Sequence, residues 1–336
     1  MAERRRWSPA AIAEWGAVAG LAKVLSWLPE PWAYALGEGA GRLTCRLDRR
    51  HRAVVTQNLA AAFPGRYTPA ELDRLVAEVF ANLGRTAVDV ARSDRLASRP
   101  DDAEVAVEGL ERLLAARARG NGVLLVTAHF GPWELLPLMA VRRYEPIHVV
   151  ARPLDNSRLD DLLTAWRERG GNRVIRKRRA VQAILHVLRR GKTVGILIDQ
   201  HVSEREGVVV PFFGRPASTA SALALIALRS GAAVLPVGIT RRPGRRRYRI
   251  RVGAEIPVRR SGDVKADLAE NTARFTAAIE AMIREQPEQW FWVHRRWKTR
   301  QPVDARLRPG SIAVAEAGRA EPPAQRGSMR DIVPGR

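Results

Sequence analysis

Between residues 105 and 256 short apolar runs alternate with helical segments, and this alternation restricts the fold more than any other feature of the sequence. The runs at 122–128, 147–151, 172–175 and 193–199 are too short for buried helices and lack the strict polar alternation of a strand with one wet face. Such runs read as strands covered on both sides, the pattern of a parallel sheet under helices. Helical spacing fills the gaps at 110–118, 134–143, 156–169 and 179–190. Further strands are expected at 233–239 and 248–256, and a long amphipathic helix at 264–285. The series predicts an α/β fold with a mostly parallel central sheet flanked by helices. No internal repeat and no Rossmann or Walker glycine pattern interrupts it.

In such sheets ligands gather where strands end at their carboxyl side. The run at 122–128 stops at Thr127-Ala128 and delivers His129 to a strand end, followed by a Gly131-Pro132 turn and a helix opening near Trp133-Glu134. Imidazole is the side chain suited to take a proton near neutral pH, and a carboxylate on its far nitrogen fixes the tautomer and stabilises the imidazolium. The pair His129 and Glu134 can therefore activate a hydroxyl. His201 and Glu206 repeat the same spacing but sit in a charge-rich loop with no helix behind them. Asp199 and Gln200 end another apolar run and should project at the same sheet edge as His129. From the residues alone His129 stays divided between proton transfer and a hydrogen-bonded structural role, and Asp199 between the site and a turn-capping one.

The first third reads as helices. Residues 10–28 are apolar over about the length of a bilayer-spanning helix, with Glu14 and Lys23 as the charges, which makes a marginal span. Trp7, Trp15, Trp27 and Trp32, with Arg4, Arg5 and Arg6 before and Arg42, Arg46, Arg49, Arg50 and Arg52 after, suit an anionic lipid interface. The alternative is a helix packed on the protein's own core. Helices follow at 32–47, 52–63 and 68–93, the last opened by Thr68-Pro69-Ala70-Glu71. The expected organisation is an anchor helix at 1–28, a helical membrane-associated platform at 29–104, the α/β domain at 105–300 and a disordered tail at 301–336. Within the α/β domain, 212–216 reads as a loop in which Arg215 could meet a phosphate, with Ser218 or Thr219 capping the next helix. The Trp and Arg density at 287–300 resembles an interfacial belt as much as the end of a core.

A hydrophobic content of 46% over 336 residues excludes a disordered chain, and a net charge of +22 calls for a polyanionic partner. Nucleic acid, an anionic membrane surface and a phosphorylated substrate all qualify. The charge is dispersed over every segment without a nucleic-acid-binding motif, which disfavours nucleic acid. The single cysteine, Cys45, rules out an internal disulfide and a Cys-based metal cluster, and fits a reducing cytosolic setting.

Several stretches agree with one family in order and approximate spacing. HFGPWE at 129–134, ARPLDNSRLDDLL at 151–163, Asp199-Gln200 followed by GVVVPFFGRPA, the helix ending in RSGAAVLPV and the closing PEQWFWVHRRWKTR resemble the late acyltransferases of lipid A biosynthesis, as does Asn58-Leu59 through Phe63-Pro64. That family lies within the lysophospholipid acyltransferase group, whose hallmark is a His followed after four residues by Asp or Glu. The resemblance implies a membrane enzyme at the cytosolic face of the inner membrane. Its donor would be acyl carrier protein, or sometimes coenzyme A, and its acceptor a hydroxyl of a phosphorylated glycolipid. His129 would be the general base and Glu134 the carboxylate orienting it. Arg152, Arg169 and Arg176, near sheet or helix ends, are candidates for phosphate or oxyanion contact, with Asp199, Gln200 and Arg215 beside them. No resident cofactor or metal is implied. A sister enzyme acylating a phosphatidylinositol mannoside is the neighbouring alternative, and a basic nucleic-acid-binding protein or non-catalytic membrane scaffold a remote one.

Overall fold

A computed structural model describes residues 8–97, 105–176, 180–242 and 248–299, together with Val303 and Leu307. Arg4, Arg5, Arg6, Trp7 and almost all of the expected tail lie outside the described residues.

Four long helices come first. Helix α1, Pro9–Trp27, opens where Ser8 Oγ accepts the Ala11 amide; Pro29 precedes α2, Glu30–Leu47, and Asp48 caps α3, Arg49–Ala62. Helix α4, Pro69–Ala91, starts from a complete capping box between Thr68 and Glu71, and the short α5, Ser93–Ala97, follows it. The buried positions of α2 are Ala33, Gly37, Gly41 and Cys45, one every fourth residue, and this small-residue stripe lies on α4. A Cβ on Gly84 would overlap the carbonyl oxygen of Gly37, and one on Gly41 that of Phe80, so the two backbones touch there. A second weld joins these helices to the sheet. Asp89 accepts Tyr248 Oη at 2.6 Å and also engages Tyr34 and Arg241, while Arg241 reaches Asn82 Oδ1 at 2.6 Å.

Among the described residues no helix is long and apolar enough to cross a membrane. Helix α1 lies against α4 and a helix of the α/β part. Arg92, at the end of α4 and only 2% exposed, donates to Leu25 O and Leu28 O at 2.7 Å each, satisfying carbonyls at the C-terminus of α1. The other side of α1 leaves Val18, Leu21, Val24 and Trp27 exposed, and α2 adds Trp32, Leu36, Leu43 and Leu47.

The remaining elements are β1 (Val105–Glu108), α6 (Leu110–Ala118), β2 (Val123–Thr127), a 3-10 turn at Trp133–Leu135, α7 (Leu136–Arg143), β3 (His148–Ala151), α8 (Ser157–Arg167), β4 (Arg173–Arg176), α9 (Ala180–Arg189) and β5 (Thr193–Leu197). After them come β6 (Gly207–Phe212), β7 (Arg215–Ala220), α10 (Ala222–Ser230), β8 (Ala233–Arg241), β9 (Tyr248–Val252), α11 (Val264–Glu285) and a 3-10 turn at Pro287–Gln289. Seven strands form one sheet in the order β1-β9-β8-β2-β5-β3-β4, parallel except where β8 meets β9. The fold is α/β, as the alternation predicts. Strand β2 is central, and its successive side chains enter different cores: Leu124 and Val126 join the cluster under α4 and α11, while Val123 and Leu125 join the one under α6 and α7.

The segment expected as a loop and a helix cap is a hairpin instead. Strands β6 and β7 pair antiparallel, and Phe213 and Gly214 connect them with φ of 52° and 70°, the double left-handed geometry of a two-residue turn. Ser218 and Thr219 are therefore fully buried strand residues, and α10 begins later, at Ala222. The closing Trp–Arg segment is core, with Trp290, Trp292 and Arg296 at 0% exposure. Leu307, in the segment expected to be disordered, is buried with Val210 and Ala273.

Candidate active site

The site forms where β2 and β5 end side by side. Their register pairs Thr127 with Leu197, so His129 and Asp199, each two residues further on, emerge level with each other. Asp199 is buried. Its Oδ1 lies 2.8 Å from His129 Nδ1, and its Oδ2 accepts the His129 backbone N–H at 3.0 Å and the Trp290 indole N–H at 2.8 Å. A carboxylate only accepts, so Nδ1 carries the proton and Nε2 holds the free lone pair of the neutral ring. The Gln200 amide nitrogen approaches Nε2 at 3.4 Å. The ring sits between Trp133 and Phe291, with centroids at 5.2 and 5.9 Å.

Burial alone would lower the pKa of His129, but the charge and hydrogen bond of Asp199, with Glu134 beyond, outweigh it and raise the pKa above an ordinary imidazole's. Burial likewise opposes the charge on Asp199, yet His129, with a smaller contribution from His294, holds it well below the usual carboxylate range.

The carboxylate at hydrogen-bond distance from the imidazole is thus Asp199, and this corrects the expectation that Glu134 would orient the ring. The reason is local. Gly131, at φ 58°, passes so close to Ile239 O that a Cβ there would overlap it, and Pro132 then leads into the 3-10 turn rather than a regular helix. That turn sends Glu134 toward α8, where Arg167 donates Nε to Oε2 at 2.8 Å and Nη2 to Oε1 at 2.5 Å, a two-pronged ion pair. Glu134 raises the pKa of Arg167 against the lowering effect of burial, and the pair lies on a cleft of about 260 Å³ bounded by Val90, Leu138, Leu163 and Trp166.

The sequence matches the family model described as bacterial lipid A biosynthesis acyltransferase over residues 3–299. The chain belongs to this family. It is 31% identical over 282 residues to the lipid A biosynthesis lauroyltransferase of Escherichia coli strain K12, spanning 81% of this chain and 87% of that one. The lipid A biosynthesis palmitoleoyltransferase of the same strain is 28% identical over 295 residues, 86% of this chain and 92% of the other. A phosphatidylinositol mannoside acyltransferase of Mycobacterium tuberculosis is similar over a shorter stretch, 27% identical over 195 residues, 57% of this chain and 59% of that one. The chain is an acyltransferase.

The arginines singled out in this acyltransferase from sequence are placed unevenly. Arg152 is exposed at the end of β3 and has no ion-pair partner among the described residues. Arg169 is engaged by Ser93 Oγ at 3.0 Å and by Asp94, and Arg176 by Asp160 at 2.8 Å. Arg215 is exposed and lies over the Trp297 ring at 5.3 Å. Arg167 and Trp290 were missed. Arg167 sits one helical register from the quoted 151–163 stretch, and the closing Trp–Arg run was the available signal for Trp290. Among the described residues no hydrogen bond or ion pair joins His201 to the imidazole–carboxylate pair; burial and then Lys298 and Arg296 push its pKa down.

Proposed function

We propose that this acyltransferase moves a fatty acyl group from a thioester on acyl carrier protein, or on coenzyme A, to a hydroxyl of a lipid A precursor at the cytosolic face of the inner membrane. His129 Nε2 takes the proton of the acceptor hydroxyl as its oxygen attacks the thioester carbonyl, forming the C–O bond. The tetrahedral intermediate then breaks its C–S bond, and the leaving thiolate takes the proton back from the imidazolium. Asp199 stabilises that imidazolium through Nδ1. The Gln200 amide and the cation of Arg152, at the same sheet edge, suit the oxyanion and a phosphate of the acceptor. Glu134 and Arg167 tie the 3-10 turn that follows His129 to α8 and add a fixed charge pair to its surroundings.

The observation that carries this reading is the buried 2.8 Å contact from Asp199 to Nδ1, because it leaves Nε2 as the proton acceptor. Two further features support the setting. The exposed apolar residues of α1 and α2, next to Arg42 and Arg46, suit helices lying in the plane of an anionic bilayer surface rather than spanning it. The dispersed positive charge suits a phosphorylated acceptor.

The test is transfer by the purified full chain from an acyl carrier protein thioester to a lipid A precursor, read by mass spectrometry. His129→Ala should abolish transfer while keeping the native near-ultraviolet circular dichroism, and Glu134→Ala should lower transfer less deeply; wild-type turnover in His129→Ala would end the assignment. The mycobacterial relative motivates a parallel assay with a phosphatidylinositol mannoside as acceptor, and preference for that acceptor would replace the lipid A reading.

A further inference from the structure

The segment after α11 is built into the site. Gly131 N donates to Gln289 O at 2.8 Å, Phe291 N donates to His129 O at 3.0 Å, and Phe130 and Trp290 form an antiparallel bridge. The backbone carrying His129 is thereby held by the backbone carrying Trp290. The Trp290 side chain then passes under the pair and gives its N–H to Asp199 Oδ2. From the opposite side Asn58, on α3 and 8% exposed, donates its amide nitrogen to Trp292 O at 2.8 Å and to His294 O at 2.9 Å. Trp290 and Trp292 meet edge to face at 4.5 Å, so fixing one backbone turn fixes both rings.

We propose that Trp290 is a positioning residue for the His129–Asp199 pair, and that Asn58 holds it in place from the helical platform. The inference rests on His129 being the base. Three donors converge on Asp199, two of them on Oδ2, and this leaves Oδ1 aimed at Nδ1 in one rotamer. Without the indole donor the carboxylate loses the contact that fixes its tilt and that draws negative charge away from Oδ1. The charged and titratable groups around the pair are Glu134 from the 3-10 turn, Arg167 from α8, and His294 and Arg296 from the closing segment. Removing the Trp290 N–H strengthens the hold of Asp199 on the imidazolium, so the ring gives up its proton at higher pH.

In the wild-type chain the indole N–H resonance of Trp290, assigned through its contacts with Trp292 and Phe212, should move with pH in step with the ring signals of His129. In Trp290→Phe the His129 titration and the acid limb of the kcat/KM profile should both move to higher pH, with kcat falling roughly ten- to a hundredfold, the loss expected for a hydrogen bond to a charged group. Asn58→Asp, nearly isosteric but unable to donate to both carbonyls, should lower kcat by about tenfold with KM within about twofold, and should shift the same indole signal. A Trp290 resonance that ignores the His129 titration, or a Trp290→Phe profile that superimposes on the wild type, overturns the proposal. The wild-type measurement decides if the variant does not fold. Since the co-titration needs no turnover, it separates failure of the positioning role from failure of His129 as base, which an active His129→Ala would report.

Discussion

Replacing Asp199 by Asn changes one atom and should invert the chemistry of His129. Oδ2 accepts two N–H groups, from the His129 backbone at 3.0 Å and from Trp290 at 2.8 Å, and neither donor can turn away. The introduced carboxamide must therefore keep its oxygen on that side and present its NH2 to Nδ1. An NH2 group does not accept, so Nδ1 must, and the ring proton moves to Nε2. That tautomer cannot take a proton from a hydroxyl. The same inversion in a Ser-His-Asp triad lowers kcat by about 10⁴-fold, and a comparable loss here corresponds to about 5.5 kcal/mol of transition-state stabilisation. KM should change little. Steady-state acyl transfer measures the loss, and ¹⁵N shifts of the His129 ring report the tautomer directly. A variant within about tenfold of the wild type, or one whose Nδ1 remains protonated, refutes the argument. The wild-type pH profile carries the same signature. His129 has a raised pKa and must be neutral to act, so activity should rise with pH through a midpoint above the ordinary imidazole value of about 6.5. For stability, the lowered pKa of Asp199 contributes above about pH 4 and is lost as pH falls through its folded value. The raised pKa of His129 contributes below about pH 6.5 and is lost as pH rises through its folded value. Their mutual stabilisation is thus largest between about pH 4 and 6.5, and Asp199→Asn should lower stability in that window and flatten its decline on either side.

His201→Ala should retain at least about half of wild-type kcat/KM, since among the described residues no hydrogen bond or ion pair joins it to the catalytic pair; a loss as deep as that of His129→Ala would relocate the base. Leu21→Glu, Trp27→Glu and Trp32→Glu combined should move the chain from sedimenting with anionic vesicles to the supernatant, because each exposed apolar side chain is worth about 1.5–3 kcal/mol when buried in lipid. Unchanged sedimentation would remove α1 and α2 as the docking surface. Gly84→Ala should destabilise the chain by about 2–3 kcal/mol, as its methyl would overlap the backbone of α2. Gly39→Ala on the free side of α2 meets nothing and should gain up to about 1 kcal/mol in helix propensity, so equal melting temperatures for the two variants would contradict the close approach.

The sheet was legible because short apolar runs stand out between helical segments, and β2, β3, β4 and β5 lie within a residue or two of where those runs stand, although only β2 is buried along its whole length. Which strands adjoin was not legible, and the site turned on it. His129 and Glu134 are close in sequence, so a local reading pairs them; His129 and Asp199 are seventy residues apart and meet because β5 lies beside β2 in a register that levels their ends. Spacing along a chain identifies neighbours only within one element, and the turn after Gly131 breaks that element. The hairpin of β6 and β7 escaped for a related reason. Its turn uses Phe213 at positive φ, where Asn or Gly would have announced it, and its strand residues Ser218 and Thr219 look like helix caps until Arg296 claims Ser218 O at 2.6 Å and Thr219 Oγ1 at 2.5 Å. The closing segment shows that Trp and Arg together do not distinguish a wet interface from a core in which the indoles of Trp290 and Trp292 and two nitrogens of Arg296 find acceptors.

Asn156 has two duties. As the cap of α8 its side-chain oxygen accepts the amides of Arg158 and Leu159, and its amide nitrogen donates to Ala11 O at 3.0 Å and Glu14 Oε2 at 2.9 Å in α1. The helix that would rest on the bilayer and the helix that ends in Arg167 are thus parts of one rigid strut. On a membrane-seated chain this makes the height of His129 above the lipid surface a constant of the fold. An acceptor would then be chosen partly by elevation: a glycolipid whose hydroxyl stands at another level is out of reach before any of its groups can be recognised.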